Sequence, residues 1–201
     1  MLQDNKLHGY LKTVGEEFHR AGATTTANGE MFNLLEFTPA MVSENFIINA
    51  LAKIHRYNGQ NPETIGYSVA QHSYLMAEAC LLVTGNPFLA WDCLWHDGSE
   101  AYTGDIVRPL KNLIREVFGD LELFIEKTIA EVIGTSFPLP PEVKNIDMNI
   151  CEYEITHILN PETDIERFDI WEVEKSIKMF KSMRARLKRL MQIKNQVNDN
   201  K

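Results

Sequence analysis

From Thr38 onward the apolar residues recur at intervals of three and four, and the breaks between these runs fall at Asn-Gly, Asn-Pro, Gly and Pro clusters. Such a period suits helices that each bury one stripe, whereas strands would show alternation. The sequence therefore predicts an all-α domain. A first helix is expected from Ser43 to Arg56, with Ile47, Leu51 and Ile54 inward. A second runs from Ser68 to Thr84 with Val69, His72, Met76, Ala79 and Val83 on one face, opened by Ser68 and Gln71 in capping-box spacing and closed by Gly85. Asn86-Pro87 caps a third, which carries Phe88, Trp91, Leu94 and Trp95. A short segment follows Pro109, and a helix beginning at Asp120 carries Leu121, Phe124, Ile125, Thr128 and Val132 up to Gly134. Residues 135–142, TSFPLPPE, read as a linker, followed by a helix over Glu142 to Leu159.

The last helix, about residues 170–195, places Val173, Ile177, Phe180, Leu187 and Leu190 in nearly coiled-coil spacing, which suits either core or the seam of a homo-oligomer. Residues 1–37 are expected to form an arm, irregular or a small hairpin around Asn28-Gly29. At 201 residues and 44% hydrophobic, the whole chain fits a single domain with its core at about 38–160.

Charge narrows the partners. The formal net charge is -8, yet residues 171–201 hold nine basic and three acidic side chains, leaving 11 of the 20 basic and 25 of the 28 acidic residues for the rest. A basic terminal helix of this kind more often pairs with an acidic body than with nucleic acid, and no aromatic residues are interleaved for base stacking, so nucleic acid is not the expected partner. No stretch approaches the roughly 18 uncharged apolar residues of a membrane span, and the N-terminus lacks an apolar run with a cleavage site, so the expected location is the cytoplasm. Cys80, Cys93 and Cys151 form no C-x-x-C pair and read as reduced core fillers.

Three helices carry polar residues where the pattern calls for apolar ones. His72 lies in the middle of an apolar stripe, Asp97 follows His96 after the apolar run Trp91 to Trp95, and Asp147 shares a face with Val143, Ile150 and Glu154. Buried carboxylates need a cation or hydrogen bonds. Because neighbouring helical residues point about 100° apart, His96 and Asp97 can reach one ion only from a helix end or flank. His72, His96, Asp97 and Asp147 together offer two imidazoles and two carboxylates, a set suited to a divalent cation (Mn, Co, Zn, Mg or Fe), with no thiolate to make the site purely structural.

The pattern of His72, His96-Asp97 and Asp147 resembles the HD-domain metal-dependent phosphohydrolases. Its context is more specific: Arg56-Tyr57-Asn58-Gly59, Tyr67-Ser68-Val69-Ala70-Gln71-His72-Ser73, His96-Asp97-Gly98-Ser99-Glu100-Ala101, Thr103-Gly104-Asp105 and Pro109-Leu110-Lys111 resemble the 5′-deoxynucleotidase and deoxynucleoside-triphosphate hydrolase branch. Enzymes of this kind occur in bacteria and phages, including a phage dATP triphosphohydrolase group. The resemblance covers about residues 38–160 and implies an HD-domain helical bundle acting in a bacterial or phage-infected cytoplasm.

It also implies roles. The four residues above hold the metal, Glu100 and Asp105 act as general acid or base, and Arg56, Tyr57 and Lys111 bind a small-molecule deoxynucleotide. Glu100 lies four residues after His96, on its face if the helix continues through Gly98. Gln71 is expected to finish a helix cap, His55 to face solvent, His157 to lie outside the site, and Glu154 to support a ligand. The implied reaction is hydrolysis of a dNTP to deoxynucleoside and triphosphate. A 5′-deoxynucleotidase acting on dNMP shares the metal shell and differs in the number of cations along the phosphates. A non-catalytic helical binding module is the alternative of a different class, and it must explain Asp97 and Asp147 without metal.

Overall fold

The computed structural model describes residues 23–25, 31–61, 63–159 and 169–199. Its helices are α1 (Glu44–Leu51), α2 (Val69–Thr84), α3 (Pro87–Trp95), α4 (Glu100–Thr103), α5 (Arg108–Leu113), α6 (Arg115–Ile133), α7 (Pro141–Glu154) and α8 (Val173–Asp199). The all-α expectation holds. Strands Ala23–Thr25 and Met31–Asn33 pair antiparallel, as the hairpin alternative for the arm anticipates, while the turn between them and residues 1–22 lie outside the described residues.

Caps explain most of the boundaries. The Ser43 and Ser68 hydroxyls accept from Phe46 N–H and Gln71 N–H, and the Asn86 side chain accepts from Phe88 N–H with Pro87 at the first helical position. Gly85 and Gly134 close α2 and α6 in the left-handed region, where a residue without Cβ meets no penalty. Three expected boundaries move. α1 stops at Leu51, because a 3-10 turn at Arg56–Gly59 and an antiparallel bridge between His55 and Ser68 take over. α6 begins at Arg115, five residues before Asp120. α7 ends at Glu154 and passes into a wider turn over Ile155–Leu159.

The core is a stack of α2, α3 and α8 closed by α7, with Met76, Leu94, Trp95, Phe180 and Leu187 at its centre. Phe180 stands edge-on to Trp95 at 5.1 Å. Of the apolar stripe of the last helix, Phe180 and Leu187 are buried in this core and Val173 and Ile177 pack against it. Four residues assigned to inward stripes face out instead: Phe88, Val83, Phe124 and Val132 are exposed. On α6 the buried stripe is Ile125, Thr128, Ile129 and Ile133, rotated from the expected one because the helix packs on its neighbours through a different face. Among the described residues no helix is long and apolar enough to cross a membrane.

Candidate metal centre

Three packed helices bring His72, His96 and Asp147 to within 4.8 Å of one another, with Asp97 beside the two histidines. His72 comes from the first turn of α2 and is fully buried, and Asp147 comes from the second turn of α7. His96 and Asp97 follow the last residue of α3, so this pair does approach from a helix end. His72 Nε2 lies 3.3 Å from His96 Nε2, 3.3 Å from Asp147 Oδ1 and 3.7 Å from Asp97 Oδ2, and His96 Nε2 lies 3.0 Å from Asp97 Oδ2. With ligand bonds of about 2.1 Å, the edges of an octahedral or tetrahedral shell measure about 3.0 and 3.4 Å. Three of the four separations fall in that range, and His72 to Asp97, at 3.7 Å, lies just beyond it.

Hydrogen bonds on the far side of each ring decide what the near side offers. His96 Nδ1 is 2.9 Å from the Cys93 carbonyl, which can only accept, so Nδ1 carries the proton. His72 Nδ1 donates at 2.6 Å to Glu154 Oε1. With both Nδ1 atoms engaged, the two Nε2 atoms face each other across 3.3 Å, where a proton or a metal ion can sit between them. Without a metal a proton serves. Burial and Arg56 oppose the charge on His72, but Glu154 and Asp147 outweigh them and raise its pKa. Burial likewise works against the carboxylates, yet His96, His72 and Arg56 hold Asp97 well below the usual range, and His72 and His96 hold Asp147 at about 2. The donor set is ionised, convergent and preorganised, which fits a divalent cation.

Glu154 anchors this arrangement. Its side chain is fully buried and accepts from Tyr67 Oη at 2.6 Å and Tyr57 Oη at 2.6 Å besides His72, and Arg56 Nε lies 3.2 Å away. Burial would raise its pKa, but His72 and Arg56 bring it to about 2. It is the supporting acid that its place two turns after Asp147 suggests. Arg56 spans the site, 3.5 Å from Asp97 Oδ2 through Nη1 and donating to Cys151 Sγ at 3.1 Å through Nη2. It is held there by the His55–Ser68 bridge, in which Arg56 N–H donates to Tyr67 O and Val69 N–H to Ile54 O. The next two residues, Tyr57 and Asn58, sit at φ 58° and 54°, a strained conformation for residues with side chains.

Several expectations need revision. Glu100 does not share a helix with His96: α3 ends at Trp95, Gly98 N–H and Glu100 N–H close tight turns onto Trp95 O and Asp97 O, and α4 restarts at Glu100. A Cβ at Gly98 would lie 3.0 Å from Trp95 O, so this turn favours glycine. Glu100 still belongs to the site electrostatically. Burial, with Asp97 and Asp105 nearby, raises its pKa well above the ordinary value, and its Oε2 is buried without a hydrogen-bond partner. Asp105 follows Gly104, whose φ is 80°, and burial raises it too. Lys111 is paired with Glu122 at 2.5 Å.

Gln71 neither completes the capping box nor faces the centre. Its amide donates to Asp169 O at 2.7 Å and accepts from Trp171 N–H at 2.9 Å, tying down the approach to α8. The His55 ring lies over Gly66, where a Cβ would come within 2.2 Å of it. His157 stacks on Tyr153 away from the centre. Cys80 and Cys93 are buried free thiols as expected, but Cys151 is a site residue: it donates to Asp147 Oδ1 at 3.2 Å, and burial pushes its thiol up to about 12, so it stays protonated. Its spacing of four from Asp147 was the available signal. Tyr67, the residue before the Ser68 cap, stood in the Tyr67 to Ser73 motif stretch without a role of its own.

No family model matches this chain. It is 31% identical over 121 residues to an uncharacterized protein of Rhodobacter capsulatus, covering 58% of this chain and 61% of that protein. It is 33% identical over 116 residues to the uncharacterized protein YfdR of Escherichia coli, covering 58% of each. The chain thus spans about six tenths of the length of these curated relatives.

Proposed function

We propose that this protein is a metal-dependent phosphohydrolase acting on 2′-deoxynucleotides. The observation that carries the reading is the pair of His72 and His96 Nε2 atoms, 3.3 Å apart with both Nδ1 atoms committed elsewhere and ionised Asp97 and Asp147 beside them. The motif context of Arg56 to Lys111, which resembles the deoxynucleotide hydrolases, supplies the substrate class. His72, His96, Asp97 and Asp147 would hold the ion. A divalent cation there supplies Lewis acidity toward a phosphoryl oxygen and toward water.

The remaining work falls to the chain's own side chains. Arg56 is fixed by Glu154 and Asp97, so its guanidinium offers a prepositioned charge for the α-phosphate. Glu100, whose burial favours the protonated form, gives its proton to the departing 5′-oxygen as the P–O5′ bond breaks. Asp105 takes a proton from the attacking water, whose oxygen becomes bonded to phosphorus. The products are a deoxynucleoside and the phosphate chain. Tyr57, with its hydroxyl tied to Glu154, presents its ring rather than its hydroxyl to base or sugar.

The test is a product assay on the purified protein with Mn²⁺, Co²⁺, Mg²⁺ or Zn²⁺ against each dNMP, dNTP and ribonucleotide, resolving nucleoside, phosphate and triphosphate by chromatography. Release of a deoxynucleoside is expected. A protein that binds metal stoichiometrically yet turns over no deoxynucleotide overturns the reading.

A further inference from the structure

A second feature lies outside the ligand shell. Between α5, α6 and α7 is a pocket of about 560 Å³ lined by Arg108, Lys111, Asn112, Arg115, Glu122 and Lys144. None of its lining residues is a candidate ligand, and it shares none with the smaller cavity where His96 lies beside Ser99 and Glu126. Most of its cations lack a counter-ion. Lys111 is neutralised by Glu122 at 2.5 Å, and Arg115 donates to the uncharged Asn112 Oδ1 at 2.8 Å. Arg108, Arg115 and Lys144 are exposed, and among the described residues they make no ion pair. Like charges brought together in this way repel one another.

Two of these cations also stand where a helix disfavours them. Arg115 is the first residue of α6 and Lys144 the fourth of α7. The N-terminal end of a helix carries the positive end of its dipole, which suits an anion. Ser43, Ser68 and Asn86 cap α1, α2 and α3 through their side chains, but no side chain caps α6 or α7. An anion in the pocket answers the guanidinium groups, the ammonium and the helix ends together.

Volume and charge select the kind of anion. Small-molecule sites run from roughly 300 to 1,000 Å³, and the pocket lies within that range. A single phosphate carries about two negative charges, one fewer than the unpaired cations. A long polyanion meets the opposite difficulty. Residues 1–170 hold 25 acidic against 11 basic side chains, so a nucleic acid running beyond the pocket crosses a body of its own sign. A short chain of phosphates meets the three cations and extends no further.

We propose that this pocket is an anion site separate from the candidate centre, and that its ligand is a small polyphosphorylated molecule held by Arg108, Arg115 and Lys144. The assignment is independent of what the centre hydrolyses.

The test is isothermal titration of the full chain in metal-free buffer, as wild type, Asp97→Asn and R115Q/K144Q, each checked for folding by circular dichroism. Should the double variant fail to fold, R115Q and K144Q singly carry the same comparison. Inorganic tripolyphosphate is expected to bind wild type at least ~10-fold more tightly than orthophosphate, R115Q/K144Q to lose at least ~10-fold of that affinity, and Asp97→Asn to keep it within ~2-fold. Competition with ATP separates two sources of a phosphate chain. Displacement of tripolyphosphate by a lower concentration of ATP assigns the chain to a nucleotide, and displacement only by a higher one assigns it to free polyphosphate. Equal affinity in wild type and R115Q/K144Q overturns the proposal, as does a loss confined to Asp97→Asn, which would put the anion at the centre. Pocket-dependent binding of a single-stranded oligonucleotide tighter than that of tripolyphosphate overturns it too, making the pocket a nucleic-acid site.

Discussion

The interior centre and the basic pocket hold charge by opposite means. At the centre every charge answers another: Glu154 meets two tyrosines, a histidine and an arginine, and Asp97 and Asp147 meet imidazoles. These groups are largely removed from water, and their mutual bonds fix each side chain before any ligand arrives. In the pocket Arg108, Arg115 and Lys144 are exposed, and among the described residues they make no ion pair. The first region is a preorganised constellation whose loss should be felt in both folding and chemistry. The second should be felt only when a polyanion is offered.

The largest effect is expected at Asp97. Asp97→Asn removes an ionised ligand while keeping the volume, so metal content should fall to background and deoxynucleotide hydrolysis by at least ~10³-fold. Metal analysis after gel filtration, run beside the product assay, checks both, and a metal-free Asp97→Asn protein with full activity would break the proposed centre. Glu154→Ala comes next. It strips a buried acid from Arg56, His72, Tyr57 and Tyr67 at once, and a broken buried pair typically costs about 3–5 kcal/mol. Urea unfolding should show that loss. Glu154→Gln, which can still accept hydrogen bonds, should recover part of the stability yet bind metal about 10–100-fold more weakly, because His72 loses its ionised partner.

This contrast also explains what the sequence revealed. His72, Asp97 and Asp147 stood out because a polar residue inside an apolar helical stripe violates the pattern, and burial makes such violations expensive. Glu154 was legible for the same reason. Arg115 and Lys144 violated nothing: an exposed cation on a helix is the ordinary case, and only the packing of α5, α6 and α7 shows that four of them share one pocket. Gln71 shows a different limit. Its capping-box spacing was correct for the Ser68 half, but its amide answers Asp169 and Trp171, about a hundred residues away, which no local rule contains. Phe124 and Val132 were misplaced because α6 starts at Arg115 and buries a face that periodicity alone does not choose.

Glu100 lies between the two regions and should separate chemistry from stability. Glu100→Ala is expected to retain metal and lose about 10²-fold in kcat. The stability effect has the opposite sign. An acid whose folded pKa is raised above its unfolded value costs stability as pH climbs past that unfolded value, 4.5, because the folded state resists giving up the proton. Glu100→Gln in EDTA should therefore be more stable than wild type at pH 7 and lose that advantage below pH 4.5. Glu154 and Asp147 run the other way. Their depressed pKa values, about 2 for each, contribute stability above the ordinary carboxylate range that is lost as pH falls toward 2. An acid titration by circular dichroism in which wild type and Glu154→Gln unfold at the same pH would contradict that assignment.

The smallest expected effect is the most discriminating for the pocket. If Arg115 and Lys144 were structural, replacing them would lower stability, as replacing Glu154 does. If they await an anion, Arg115→Gln should change unfolding free energy by no more than about 0.5 kcal/mol, and in the stabilising direction at low salt because it relieves repulsion from Arg108, Lys111 and Lys144. Added salt screens that repulsion, so the gain should vanish by about 0.5 M, where the Debye length is roughly half its value at 0.1 M. Urea midpoints for wild type and Arg115→Gln at two salt concentrations, with and without tripolyphosphate, make the comparison direct: the anion should stabilise wild type more than the variant. A variant destabilised at low salt and indifferent to tripolyphosphate would return the cluster to the ordinary surface.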